Sequence, residues 1–170
     1  MKHRAAILLL CLLAAAPAAA RDALRLDRLS DAVPPFTLEP ALGDGPALEL
    51  DDLAGRTVLL HFWATWCGPC REELPALQAL ADRLEATRFA LVLVAIDDTA
   101  TGAEVARFAA DLGVTVPVYL ARTSTVSDRY WRWGVPVSYL VDPAGGFVGR
   151  ALGPRAWNAP ASIAALRAIE

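Results

Sequence analysis

The chain has 170 residues, of which 55% are hydrophobic and 21% are charged, and its formal net charge at pH 7 is −3. This length is enough for one domain with a proper hydrophobic core. The excess of acidic residues argues against nucleic acid or an anionic membrane surface as a partner.

The first twenty residues have the composition of an export signal. The basic start "MKHR" is followed by an apolar run of twelve, "AAILLLCLLAAA", and by the small residues "PAAA". This is the order of regions in a secretory signal. We therefore predict a signal peptide over residues 1–20, cleaved after Ala20, and an exported, periplasmic domain over residues 21–170. The alternative is an uncleaved N-terminal membrane anchor, although a bilayer-spanning helix needs roughly twenty apolar residues.

Cleavage would change both the charge and the cysteine count. It removes Lys2 and Arg4, which lowers Lys+Arg from 16 to 14 against 19 Asp+Glu and leaves a net charge near −5. It also removes Cys11, so that Cys67 and Cys70 are the only cysteines in an oxidising compartment. A disulfide that encloses two residues constrains the unfolded chain little, so a structural staple explains this pair poorly.

The rest of the chain alternates predicted strands with predicted helices. Residues 21–35 predict a loosely ordered lead-in, and the helix after the cysteines should run to about Leu84 with a kink at Pro75. The expected elements are a hairpin (36–55), a buried strand (57–64), that helix, a strand (89–97), a helix (102–113), a strand (116–121), a short helix (124–133), a hairpin (136–152) and a final helix that starts at Asn158 and Pro160. This order predicts a mixed α/β sheet with helices on both faces.

Three kinds of chemistry compete for the two cysteines. Structural zinc needs four ligands, and the cleaved chain offers only one histidine, His61, beside Cys67 and Cys70. No metal site is therefore predicted. Two thiolates can hold Cu(I), so a copper chaperone without redox turnover is the alternative function. Thiol–disulfide exchange is favoured, because Cys67 follows a buried strand and falls at a helix N-terminus, where free N–H groups and the helix dipole stabilise a thiolate.

The spacing assigns a role to each residue of this segment. Cys67 is the predicted nucleophile, and Cys70, one turn later, is placed to resolve a mixed disulfide. Gly68 has no side chain and so allows another backbone segment to approach closely. Pro69 suits the first turn of the helix, where its missing N–H is not needed. Glu73 lies on the stripe that faces the sheet, so burial should raise its pKa and let it exchange a proton with Cys70. The alternative is that a kink at Pro75 turns Glu73 out to solvent as an ordinary helix acid.

The segment "FWATWCGPCREELP" resembles the active-site segment of thioredoxin-fold thiol–disulfide oxidoreductases, and most of all the exported TlpA/ResA/DsbE-like branch. The resemblance covers about residues 33–168 and includes "VPPFTL", "LDDLAGRTVLLHFWATWCGPC" and "GVPVSYLVDPAG". It implies a thioredoxin-like fold, in which helices flank a mixed central sheet with an N-terminal hairpin and an inserted strand–helix. Peroxiredoxins begin similarly, but their Pro-x-x-x-Thr-x-x-Cys pattern is absent, so peroxide turnover is not expected.

The resemblance also implies roles around the cysteines. Pro136 matches a cis-proline that faces the dithiol, and the backbone of Val135 would then meet an extended substrate segment together with Trp66. Glu73 matches the acid of this branch. Two positions depart from the pattern: His61 stands where thioredoxin has a buried aspartate and is expected to be a supporting core residue, and Val137 replaces the common threonine, which leaves the substrate preference open.

The expected activity is reduction of disulfides in partner proteins. Thioredoxin, which shares the Gly-Pro pair, is strongly reducing at roughly −270 mV, whereas DsbA lies near −120 mV. The resemblance suggests apocytochrome c and copper-site proteins as clients. Because an exported compartment lacks a reducing pool, a membrane thiol reductase is expected to be the electron donor. No cofactor is expected, and the protein should be a monomer. In "YWRWG", Trp131 and Trp133 are equally consistent with a groove for an apolar peptide and with core aromatics.

Overall fold

The computed structural model describes residues 16–43 and 45–169. Its strands are β1 (Thr37–Pro40), β2 (Leu48–Glu49), β3 (Thr57–Trp63), β4 (Phe89–Ala95), β5 (Val118–Thr125), β6 (Val137–Val141) and β7 (Phe147–Leu152). Its α-helices are α1 (residues 16–23), α2 (Gly68–Ala81), α3 (Gly102–Asp111) and α4 (Pro160–Arg167), with 3-10 helices at Leu50–Leu53 and Asp128–Tyr130.

The seven strands form one sheet in the order β2-β1-β5-β4-β3-β6-β7. The central strands β3, β4 and β5 are parallel, and the flanking pairs are antiparallel. Every residue of β3 is buried, as expected for an unbroken apolar strand that is covered on both faces. The predicted fold class, a mixed sheet of thioredoxin type with an N-terminal hairpin, is confirmed.

Alternate residues of β3 point to opposite faces of the sheet and belong to two separate apolar clusters. Leu59 and Trp63 pack in the cluster that also contains the buried side chains of all four α-helices. Phe62 packs in the other, where the 3-10 helix residue Tyr130 and neighbouring aromatic rings cover the sheet. The expectation of helices on both faces is therefore wrong for the α-helices: among the described residues no α-helix contributes to the second cluster, which is covered by the 3-10 helices and the N-terminal segment.

Helix α2 begins immediately after β3, with Cys67 as its N-cap residue and Pro69 in its first turn. It continues through Pro75 as one element and ends at Ala81, three residues before the predicted end at Leu84. The predicted start of the helix at the cysteines is confirmed.

The segment that precedes β1 is packed, which contradicts the predicted loose lead-in. Leu24 and Leu26 are buried, and Asp27 forms an isolated antiparallel bridge with Arg150 of β7. A Cβ atom added to Gly149 would lie only 2.7 Å from the Asp27 carbonyl oxygen, so the two backbones are in close contact. The burial of its apolar side chains orders this segment, although many of its residues are charged.

The predicted signal falls only partly within the described residues, because residues 1–15 lie outside them. The predicted cut after Ala20 would fall inside α1, and it stays a prediction. Within the part of the chain that the structure describes, no helix has both the length and the apolar character that crossing a bilayer requires.

Two further boundaries differ from the sequence-based expectation. β5 extends to Thr125, and only Asp128–Tyr130 of the predicted helix over 124–133 is helical, as a single 3-10 turn. The last helix starts at Pro160 with Ala159 as its N-cap, so Asn158 does not cap it. The β1–β2 hairpin is confirmed, although Asp44 of its predicted turn lies outside the described residues.

Candidate active site

Cys67 and Cys70 lie where β3 ends and α2 begins. Their sulfur atoms are joined by a bond of 2.01 Å, and the two residues are 5% and 0% exposed. The backbone N–H of Cys70 donates to the Cys67 sulfur at 3.3 Å. Unpaired N–H groups at a helix N-terminus favour negative charge. Cys67 is thus the more exposed of the two residues and the one at the positive end of the helix.

A buried carboxylate holds the loop before Cys67. Asp97, which is 3% exposed, follows β4 and accepts the backbone N–H of Thr65 at 3.2 and 3.3 Å as well as the Thr65 hydroxyl at 2.5 Å. Asp97 is not among the site residues predicted from the sequence. A polar residue at the carboxyl end of a buried parallel strand was the available signal, because such ends meet at the functional edge of the sheet.

The loop before β6 lies directly against the disulfide. The Val135–Pro136 peptide bond is cis, as the resemblance predicts. The Val135 carbonyl oxygen is 3.6 Å from the Cys67 sulfur, and the backbone of Gly153 donates to the Pro136 carbonyl at 2.9 Å. Trp66, next to Cys67, is 68% exposed. The structure therefore brings Trp66, Val135 and Pro136 around Cys67.

Glu73 is buried beneath the surface of α2, 4% exposed, as its place on the inward stripe predicts. One carboxylate oxygen accepts the backbone N–H of Arg155 at 3.0 Å and the indole N–H of Trp157. The other oxygen has no partner among the described residues. Burial raises the pKa of Glu73 from 4.5 to about 7, while the hydrogen bonds from Arg155 and Trp157 oppose the rise. The carboxyl can therefore gain or lose a proton near neutral pH.

His61 is fully buried in β3 on the same face as Leu59 and Trp63, which is the face that α2 covers. Its Nδ1 atom lies 2.8 Å from the hydroxyl oxygen of Ser138, the residue paired with it on β6. Its Nε2 atom has no partner among residues 16–43 and 45–169. Burial lowers the pKa of His61 to about 3, so the ring is neutral at physiological pH. This placement agrees with a supporting core residue.

The remaining predicted positions divide into two groups. Pro69 occupies the first turn of α2, but a Cβ added to Gly68 meets no described atom within 4 Å, so the close backbone approach expected there is not made within the chain. Trp131 packs on Phe62 with ring centroids 5.2 Å apart, whereas Trp133 is 65% exposed. One tryptophan of "YWRWG" is thus half-buried against the core and the other faces solvent.

Comparisons with known proteins agree with this arrangement. A family model described as the AhpC/TSA family matches residues 29–148. Thiol-disulfide oxidoreductase ResA of Oceanobacillus iheyensis is 33% identical over 127 residues, which are 74% of this chain and 65% of that protein. The chain therefore spans slightly less than two thirds of the ResA length.

Two solved structures share the fold. A crystal structure from Chlorobium tepidum, of a protein assigned as thiol:disulfide interchange protein DsbE, is 31% identical, covers 84% of this chain and 94% of that chain, and has a TM-score of 0.65. StoA of Bacillus subtilis is 25% identical, with 74% and 92% covered and a TM-score of 0.58. Together with the matched family model, these findings confirm the resemblance: the chain belongs to the AhpC/TSA family, and its relatives there are thioredoxin-fold proteins of the ResA and DsbE kind.

Proposed function

We propose that this chain is an exported thiol–disulfide oxidoreductase that reduces disulfides in partner proteins. The observation that carries the proposal is the Cys67–Cys70 pair at the N-terminus of α2, with the Val135 carbonyl 3.6 Å from the Cys67 sulfur. The relatives named above are thiol–disulfide oxidoreductases by name, which supports the same reaction class.

The reaction runs through two exchanges. In the reduced protein the Cys67 thiolate attacks one sulfur of a client disulfide, forms a mixed disulfide and expels the other client sulfur as a thiolate. The Cys70 thiolate then attacks the Cys67 sulfur, which releases the second client thiolate and forms the Cys67–Cys70 bond. Two electrons pass to the client, and a dithiol donor must reduce the protein again. The N–H groups at the start of α2 lower the cost of the Cys67 thiolate.

Glu73 is the proposed proton acceptor for Cys70. The Cys70 thiol is buried and must lose its proton before it can attack, and a carboxylate whose pKa is about 7 can accept that proton without a large energetic penalty. Trp157 and Arg155 hold one oxygen of the carboxylate and leave the other free for the proton.

The remaining assignments rest on the sequence: the location on the predicted export signal, the electron donor on that location, and the clients on the family resemblance. We infer that the protein works in the periplasm as a monomer, that a membrane thiol reductase supplies its electrons, and that its clients resemble apocytochrome c or copper-site proteins. The Gly-Pro pair between the cysteines supports a reducing direction. Cu(I) binding by the same two thiolates is the alternative; tight stoichiometric binding under anaerobic conditions without any dithiol-dependent disulfide reduction would favour it.

Trapping of clients tests the proposal directly. In a Cys70→Ser variant the second exchange is blocked, so mixed disulfides through Cys67 should accumulate in the exported compartment. Non-reducing electrophoresis and mass spectrometry then detect the adducts and identify their partners. The Cys67→Ser variant is the matched control, since it keeps one cysteine but lacks the proposed nucleophile.

The outcomes separate the roles of the two cysteines. Adducts in the Cys70→Ser variant alone support the assigned order of attack. Adducts in the Cys67→Ser variant alone would reverse the two roles, and an absence of adducts from both variants would contradict disulfide exchange with proteins.

A further inference from the structure

A cavity of about 160 Å³ lies on the sheet face opposite α2, beside the loop that carries Val135. Its buried floor includes Tyr130 and Tyr139, and Trp133 stands at its exposed rim. Both tyrosine hydroxyls already donate, to the carbonyl oxygens of Pro34 and Tyr130 respectively. The floor therefore offers aromatic ring surface and no free hydroxyl donor.

The size of the cavity sets what can enter it. A cavity of about 150 Å³ lined by apolar groups accommodates benzene, so this one has room for a single aromatic or large aliphatic side chain. Phe147, which packs on Tyr139 with ring centroids 5.5 Å apart, adds a fourth aromatic side chain to the lining. Aromatic rings pack well on other rings in this distance range, which favours an aromatic occupant.

The charged residues around the cavity are mainly positive, although the chain as a whole carries a net charge of −3. Arg129, Arg132 and Arg150 line it, against the single acid Asp31. Arg150 pairs with Asp27 at 3.2 Å, and Arg129 approaches Asp31 at 4.0 Å.

One of these cations is left without an acidic partner. The guanidinium of Arg132 lies over the ring of Trp133, 5.5 Å from its centroid, and no carboxylate of the described residues pairs with it. A positive charge stacked on an exposed indole is suited to an acidic group that approaches the rim.

The rim of the cavity adjoins the loop that contacts the Cys67 sulfur. Trp133 precedes Val135 by two residues, and consecutive Cα atoms are about 3.8 Å apart, so the two Cα atoms are separated by less than about 8 Å. The Val135 carbonyl is in turn 3.6 Å from the Cys67 sulfur. A peptide whose cysteine reaches Cys67 therefore has its neighbouring residues within reach of Trp133 and Arg132.

We propose that this cavity is a docking site for client proteins, in which an aromatic side chain close to the client cysteine enters between Tyr130, Tyr139 and Trp133 while an adjacent acidic residue pairs with Arg132. The proposal rests on the function proposed above and specifies the client: an extended segment with a cysteine, an aromatic residue and a net negative charge. Clients with basic residues at the same positions are disfavoured, because they would meet the arginine rim.

Activated peptides test this preference. The probes are four synthetic peptides of equal length with one central cysteine, which carries 5-thio-2-nitrobenzoate in a mixed disulfide. The cysteine is flanked on both sides by Phe-Glu, Phe-Lys, Ala-Glu or Ala-Lys. The Cys67 thiolate of the reduced Cys70→Ser variant attacks the peptide sulfur, and the thionitrobenzoate anion leaves with the electron pair of the broken S–S bond. Its absorbance gives the second-order rate constant.

With the rim unchanged, the rate constant should be about threefold to tenfold higher for the Glu peptides than for the Lys peptides. This is the range that one or two exposed charge contacts supply. This preference should shrink as salt is added. Phe should be favoured over Ala by about threefold or more, because the ring buries apolar surface. In the Cys70→Ser background, a second substitution Arg132→Glu should abolish or reverse the preference for Glu peptides. Trp133→Ala in the same background should bring the ratio of the rate constants for Phe and Ala peptides towards one.

The charge-matched control is Arg83→Glu, an exposed position just beyond the far end of α2, which makes the same change in net charge and should keep both wild-type ratios. Equal rates for all four peptides would overturn the docking site and leave the oxidoreductase function standing. A charge preference that survives in Arg132→Glu would overturn the role of the rim. Failure of every peptide to react would overturn the proposed function and, with it, this proposal.

Discussion

The buried carboxyl of Glu73 should make the stability of the protein depend on pH in a specific direction. Burial raises the pKa of this group from 4.5 to about 7 in the folded protein. Between these values the unfolded chain has lost the proton that the folded chain still holds, so stability falls as the pH rises through this window. Below about pH 4.5 both states are protonated, and the penalty is absent.

The size of the effect follows from the two pKa values. A rise from 4.5 to about 7, at about 1.36 kcal/mol for each pH unit, costs the folded state roughly 3 kcal/mol above pH 7. Glu73→Gln removes the titration but keeps an oxygen that can accept from Arg155 and Trp157. Relative to the wild type, this variant should therefore gain roughly 3 kcal/mol in its free energy of unfolding between pH 4.5 and pH 8. For a chain of this length that gain corresponds to a rise of about 6–12 °C in Tm.

Urea denaturation of the oxidised protein across this pH range measures the effect, with Glu72→Gln as the control. Glu72 is the exposed neighbour of Glu73 on the same helix, so its substitution should give a curve nearly parallel to that of the wild type. A Glu73→Gln curve that is also parallel to the wild type would refute the reasoning, because it would mean that the carboxyl titrates alike in the folded and unfolded states.

Two other positions have consequences that can be measured in the same way. Because burial lowers the pKa of His61 from 6.5 to about 3, the wild type should lose roughly 3 kcal/mol relative to His61→Asn as the pH falls from 6.5 to 4; curves that stay parallel in this range would show that the ring is accessible to protons. Gly149→Ala should lower the free energy of unfolding by about 1–3 kcal/mol, since the new Cβ meets the Asp27 carbonyl oxygen at 2.7 Å and the N-terminal segment must move. The control Gly43→Ala places its Cβ in open space, and equal losses in both variants would argue against the close contact.

The position of the candidate site was predictable from local patterns. The apolar run of β3, followed by Cys67, Pro69 and Cys70, predicts a buried strand and a helix N-terminus, and both are present. Helical spacing alone placed Glu73 on the inward face. The strand and the helix N-terminus are predicted from residues close together in the chain, and the inward position of Glu73 from a period of 3.6 residues. Neither prediction requires knowledge of the elements that pack against this segment.

The contacts that determine the chemistry of the site are of a different kind. Glu73 is held by Arg155 and Trp157, 82 and 84 residues further along the chain, and His61 by Ser138 at a separation of 77. The strand register and the path of the loop after β7 decide which side chains meet. Neither leaves a periodic signal, so no local pattern identified these partners.

The N-terminal segment and the loop before β6 show the same division. The mixed and charged composition of residues 21–35 predicts a loosely ordered lead-in, yet Leu24 and Leu26 are buried in the cluster that contains the α-helices. The sequence alone determined that the chain presents a dithiol at the start of a helix, since backbone geometry and side-chain spacing encode that directly. Only the tertiary structure decided that Trp131 is packed on Phe62 while Trp133 is exposed beside Arg132, because burial depends on what the rest of the chain leaves uncovered.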